Sequence, residues 1–134
     1  MTLAELRIDL VILACAISAG IHGALAPEHF EEGAGAGLGF VVATVLLAVL
    51  AAYLTRRPTQ LAFAATAAVF VGLIASYGLA ITTGVPVLRP EPEAVDGLAL
   101  FTKAVEAIGL LLAASQLRRP RLGFHLTQAK GHLT

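Results

Sequence analysis

Apolar residues in this chain run in four long stretches separated by short polar punctuation. A membrane-crossing helix needs about 20 mostly apolar residues, and an uncharged run of 18 or more is a candidate. The pattern predicts helices over about 8–26, 37–54, 61–84 and 97–117, with Arg56-Arg57-Pro58 punctuating the middle of the chain. The expected fold is therefore all-α: an integral membrane four-helix bundle made of two helical hairpins, occupying 1–117 and followed by a basic tail over 118–134.

Composition supports lipid as the solvent. The chain is 57% hydrophobic and 13% charged, against roughly 45–50% and about 25% in soluble domains. A formal net charge of zero, with no basic run flanked by aromatics, removes the electrostatic footprint of a nucleic-acid binder, so nucleic acid is not an expected partner. The first apolar run is read as a retained span, because Met1–Asp9 carries Glu5, Arg7 and Asp9 rather than a positive leader and no clean cleavage site follows it. Cys15 lies alone within that run and is read as a small buried hydrophobe.

Charge placement sets the expected orientation. Basic residues concentrate in the second connection (Arg56, Arg57) and in the tail (Arg118, Arg119, Arg121, Lys130), whereas the first connection carries Glu28, Glu31 and Glu32. The third holds Glu91, Glu93 and Asp96 against Arg89 alone. By the positive-inside rule both termini are cytoplasmic and the connections 27–36 and 85–96 face outward, as expected of a prokaryotic plasma-membrane protein. Small residues at helical spacing, such as Ala65, Ala68, Gly72 and Ser76, let helices approach closely in lipid. With no Trp and only Tyr53 and Tyr77 as tyrosines, the interfacial belt is thin, so a homo-oligomer or other membrane subunits are expected partners beside the bilayer.

Candidate chemistry gathers near the outward side. Pro27 suits the first turn of a new short helix, with Glu28, Glu31 and Glu32 favoured by its N-terminal dipole. That leaves His22 and His29 unexplained. Counting 1.5 Å per residue, His22 lies ~9 Å below the outer surface, Lys103 at about the same depth and Glu106 at ~13–14 Å, with Tyr77 in the same layer. Charges within a span cost at least about 2.5–3.5 kcal/mol each, so they face the bundle interior and pair. Lys103 and Glu106, three residues apart, are within reach of each other. The pair is either a register pin between helices or, with His22, the core of a pocket.

The donors His22, His29, Glu28, Glu32 and Glu106, joined by Glu31, form an imidazole and carboxylate set suited to a divalent metal such as Zn, Cu(II), Fe or Mn. Lys103 and Tyr77 complete the expected pocket. Spacing is not diagnostic, because His22 and His29 are seven apart with a proline between. Bis-histidine haem is disfavoured, since His29 is expected in a loop and His125 and His132 in the tail. The prolines of the third connection suggest a stiff linker or a lid over the pocket. No nucleophile–base pair, phosphate loop or dinucleotide fingerprint can be named, so no enzyme activity is assigned.

Two functions follow as expectations. One is capture of a cation, a proton or a small polar ligand from outside, with a role in transport. The other is a non-catalytic accessory subunit or assembly factor whose ion pair serves helix packing.

Overall fold

A computed structural model describes residues 1–85 and 91–118. Within them the chain forms four helices and no strand: α1 (Leu3–Glu32), α2 (Ala34–Arg56), α3 (Gln60–Thr82) and α4 (Gly97–Leu117). All four are long and apolar enough to cross a membrane. Arg89, Arg119, Arg121, His125, Lys130 and His132, on which several sequence expectations rest, lie outside the described residues.

Local chemistry explains most of the boundaries. Thr2 and Glu5 form a capping box, with Glu5 N–H donating to Thr2 Oγ1 at 3.2 Å and Thr2 N–H to Glu5 Oε2 at 2.6 Å. This starts α1 five residues before its apolar run. Thr59 caps α3 by accepting from Ala62 N–H, and Asp96 caps α4 by accepting from Ala99 N–H at 2.7 Å. Pro58 ends α2, because a proline disfavours helical geometry in the residue before it.

The first connection departs from expectation. Pro27 does not open a new helix; it lies inside α1, which continues to Glu32, so the expected loop over 27–36 shrinks to Gly33 between α1 and α2. A proline within a helix forfeits one backbone hydrogen bond, and membrane helices tolerate that loss where neighbouring helices pack against the freed groups. At this turn the Phe30 ring lies directly on the backbone of Gly37, where no side chain would fit. The glycine lets the hairpin close on its own aromatic.

Around the bundle α1 packs against α2 and α4, and α3 against α4 and, least extensively, α2. The core is concentrated toward the Arg56–Pro58 end, where Val11, Cys15, Leu47, Leu54, Phe70 and Ala113 are buried. Gly109 permits the closest approach there, since a Cβ at that position would stand 2.6 Å from Phe70 Cε2 and 2.9 Å from Ala14 Cβ. Large apolar side chains meanwhile face outward, including Val49, Ile108 and Leu111, the last 71% exposed. Buried Ser18, His22, Thr66, Glu106 and Gln116 face inward. This inside-out distribution suits helices surrounded by hydrocarbon rather than water.

Candidate functional site

At the opposite end from the packed core, the four helices enclose a cavity of about 530 Å³. α1 contributes His22, Glu28, His29 and Glu32 to its wall, α2 contributes Phe40, α3 contributes Tyr77, and α4 contributes Thr102 and Lys103. Glu93 and Asp96, from the segment entering α4, line it as well. Glu93 N–H donates to Ala80 O at 2.8 Å, which folds that segment back onto the end of α3.

The deepest polar group is Glu106, fully buried on α4. Its Oε2 accepts from Lys103 Nζ at 2.6 Å, and its Oε1 accepts from the Ser18 hydroxyl of α1 at 2.7 Å. Each carboxylate oxygen thus has a donor, one charged and one neutral, which is how a buried carboxylate remains tolerable. Lys103 Nζ also approaches Leu73 O at 3.5 Å and lies 5.5 Å from the centre of the Tyr77 ring. The Tyr77 hydroxyl is shielded and has no hydrogen-bond partner among the described residues.

His22 completes the floor. Its Nδ1 lies 2.8 Å from Ser18 O, a carbonyl that can only accept, so Nδ1 carries the proton. In the neutral ring Nε2 is then an acceptor. It stands 3.9 Å from Glu106 Oε1, too far for a hydrogen bond, and makes no other among the described residues. A side chain only 9% exposed therefore presents an unused acceptor to the cavity.

Sequence spacing brought His22, Lys103, Glu106 and Tyr77 into one layer, and the structure brings them into one cluster. His29 is the correction: it is buried on α1 rather than carried on a loop, because α1 runs through Pro27. Two turns from His22 on a continuous helix, it stacks on Phe40 at 3.7 Å, while His22 meets the same ring at 5.1 Å. His29 Nε2 lies 3.7 Å from Glu93 Oε1 and 4.0 Å from Glu32 Oε2. Glu28 and Glu32 stand at the rim. Of the five expected metal ligands, Glu106 lies buried beneath the chamber while His22, Glu28, His29 and Glu32 line it, and no group of three His, Cys, Asp or Glu able to hold a metal ion forms among the described residues.

The dipole account of the acidic run also changes. Glu28, Glu31 and Glu32 lie in the last turns of α1, where the helix dipole disfavours negative charge. Two participants were not singled out from the sequence. Ser18 sits four residues before His22 and hence on its face of the helix, a usable signal. Phe40 gave none, because one aromatic in an apolar run resembles its neighbours.

Compared with known proteins, the chain matches no family model, no curated protein and no solved structure. The class that fold and site define is a four-helix bundle of membrane-crossing length with a polar chamber at one end.

Proposed function

We propose that this chain is a membrane-embedded binding protein, with both termini in the cytoplasm and the chamber open to the opposite side. Its ligand is a small polar group carrying at least one hydrogen-bond donor: an O–H, N–H or ammonium. One observation carries the reading: a nine-tenths-buried histidine offers an unused acceptor beside a satisfied Ser18–Glu106–Lys103 network, in a cavity large enough for a ligand. A register pin explains the ion pair but not the void above it, which forfeits packing contacts that the other half of the bundle makes. The acidic rim favours cationic and donor-bearing groups over anions. Those carboxylates stand against the dipole of α1, at a cost of about 0.3–1 kcal/mol each near a helix terminus, so dipole stabilisation does not account for them.

Below Glu106 the bundle is filled by Phe70, Ala14 and their neighbours, so the chamber is a blind pocket. The geometry supports capture. Passage across the membrane would require the packed half to open.

A thiol in the chamber wall tests this. In a Cys15→Ala background, Ala99→Cys lines the cavity and Leu111→Cys faces outward on the same helix. A cationic methanethiosulfonate added to intact cells is expected to label the Ala99 position faster than its anionic counterpart, and to leave the Leu111 position unreacted. Native mass spectrometry of gently extracted parent protein is expected to show a small-molecule adduct that His22→Phe loses. An Ala99 position that resists both reagents from the outside, or a parent that carries no adduct, sinks the reading.

A further inference from the structure

The chamber has a second boundary that the polar cluster does not explain. Between α2 and α3, the least extensively packed neighbouring pair, runs an apolar groove of about 230 Å³. Its α2 wall is Gly39, Val42, Ala43 and Leu46, and its α3 wall is Val69, Gly72 and Leu73. Gly39, Ala43 and Leu73 line both the groove and the chamber, so the two adjoin across these small and aliphatic side chains. A Cβ added at Gly39 or Gly72 would meet nothing within 4 Å, and Val42 and Leu46 are about half exposed along the same flank. Gly39 to Leu46 spans two helical turns, or ~10 Å of axis. No polar side chain interrupts it.

A hydrocarbon-lined slot against the chamber wall, flanked by half-exposed Val42 and Leu46, suits a ligand that partitions into the bilayer rather than one restricted to water. We propose that the ligand is a membrane amphiphile with a hydroxyl-bearing head that carries no negative charge, entering sideways between α2 and α3 and leaving its chain in the groove. This rests on the binding role proposed above and specifies the ligand class. The head group follows from the floor of the chamber. His22 Nε2 accepts from its hydroxyl. An anionic head does not suit the site, because Lys103 is already held by Glu106 at 2.6 Å and Glu28 and Asp96 add negative charge at the rim. Apolar walls with a few convergent polar groups are the usual makeup of a ligand pocket.

The test uses hexadecanol carrying a diazirine in its chain, with the full-length protein in phosphatidylcholine vesicles. Photolysis is expected to attach the probe to Val42, Leu46, Val69 or Leu73, with severalfold loss of adduct when unlabelled hexadecanol is added. Hexadecyl phosphate is expected to compete poorly. Gly72→Leu, which fills the slot, is expected to abolish the saturable adduct. Competition in the parent protein stands alone if that variant fails to fold. Adducts spread evenly over the outer faces of all four helices, or not displaced by hexadecanol, overturn the proposal. Equal competition by hexadecyl phosphate overturns the head-group assignment and with it the proposal. If the Ala99→Cys thiol is labelled as described while amphiphile cross-linking is unsaturable, the amphiphile alone is refuted. If the thiol is inaccessible, the binding role itself falls.

Discussion

Near Arg56–Pro58, Phe70 of α3 lies across Gly109 of α4 and against Ala14 of α1, and Leu47 and Leu54 of α2 close the remaining side. Near Gly33 and Glu93 the same four helices surround about 530 Å³ that no side chain fills. The two halves share a composition of small and aliphatic residues, so average hydrophobicity does not distinguish them. What differs is the side chain placed at the centre. In one half it is a fully buried phenyl ring, and in the other it is an ion pair with a histidine beneath an unfilled space. In lipid, where apolar surface gains little by turning inward, contact geometry decides how tightly a bundle closes.

That contrast can be broken most severely at its boundary. Glu106→Leu leaves Lys103 without its counter-charge and Ser18 without its acceptor, and removing one partner of a buried pair costs about 3–5 kcal/mol. Thermal unfolding in detergent is expected to register a loss of this order. Lys103→Met combined with Glu106→Leu removes both charges and is expected to recover much of it, because a buried pair replaced by apolar residues is often near neutral. A double variant no more stable than Glu106→Leu alone would show that the cluster is not a simple pair.

A matched substitution compares the halves directly. Gly109→Ala drives a methyl into Phe70 and Ala14, and overpacking of this kind costs about 1–3 kcal/mol. Gly39→Ala meets open space and is expected to be neutral or to stabilise by about 0.5–1 kcal/mol, the usual helix penalty of glycine. Equal melting shifts for the two would contradict the division into packed and hollow halves.

Ser18→Ala isolates the hydrogen bond that ties α1 to Glu106. A bond to a charged group contributes about 1.5–3 kcal/mol, and the Lys103 pair that remains keeps the expected loss near the lower figure. The smallest effect belongs to Tyr77→Phe, which removes a hydroxyl without a partner among the described residues and is expected to stay within about 0.5 kcal/mol of the parent. A larger destabilisation would reveal a partner for that hydroxyl within the protein.

Much of this was readable beforehand, for identifiable reasons. Helix α4 begins and ends where the apolar pattern placed it, because Asp96 is a clear cap and Arg118 a clear end of the run. Depth counting put His22, Lys103 and Glu106 at one level, since rise per residue is nearly constant along a helix. Angular position was harder to read. Whether His22 faces Glu106, and which ring of α2 it meets, depends on how helices rotate against each other, and an almost uniformly apolar span gives no stripe from which to read that rotation. Pro27 misled because its usual meaning at the start of a helix was applied where the helix had not ended. The same error moved His29 from a buried wall to a loop and made the acidic run look favourable to a dipole that in fact opposes it.

The single residue between α1 and α2 also bears on how the protein is made. With only Gly33 joining them, the two helices have no slack for one to cross the bilayer while the other waits. In the proposed orientation they are delivered together, and Glu28, Glu31 and Glu32 are carried through the insertion machinery at the leading tip of the hairpin. Acidic residues weigh little in the choice of which side a loop adopts, whereas lysines at the same tip would resist export. The carboxylates at the chamber mouth are therefore compatible with the biogenesis of the hairpin as well as with its chemistry.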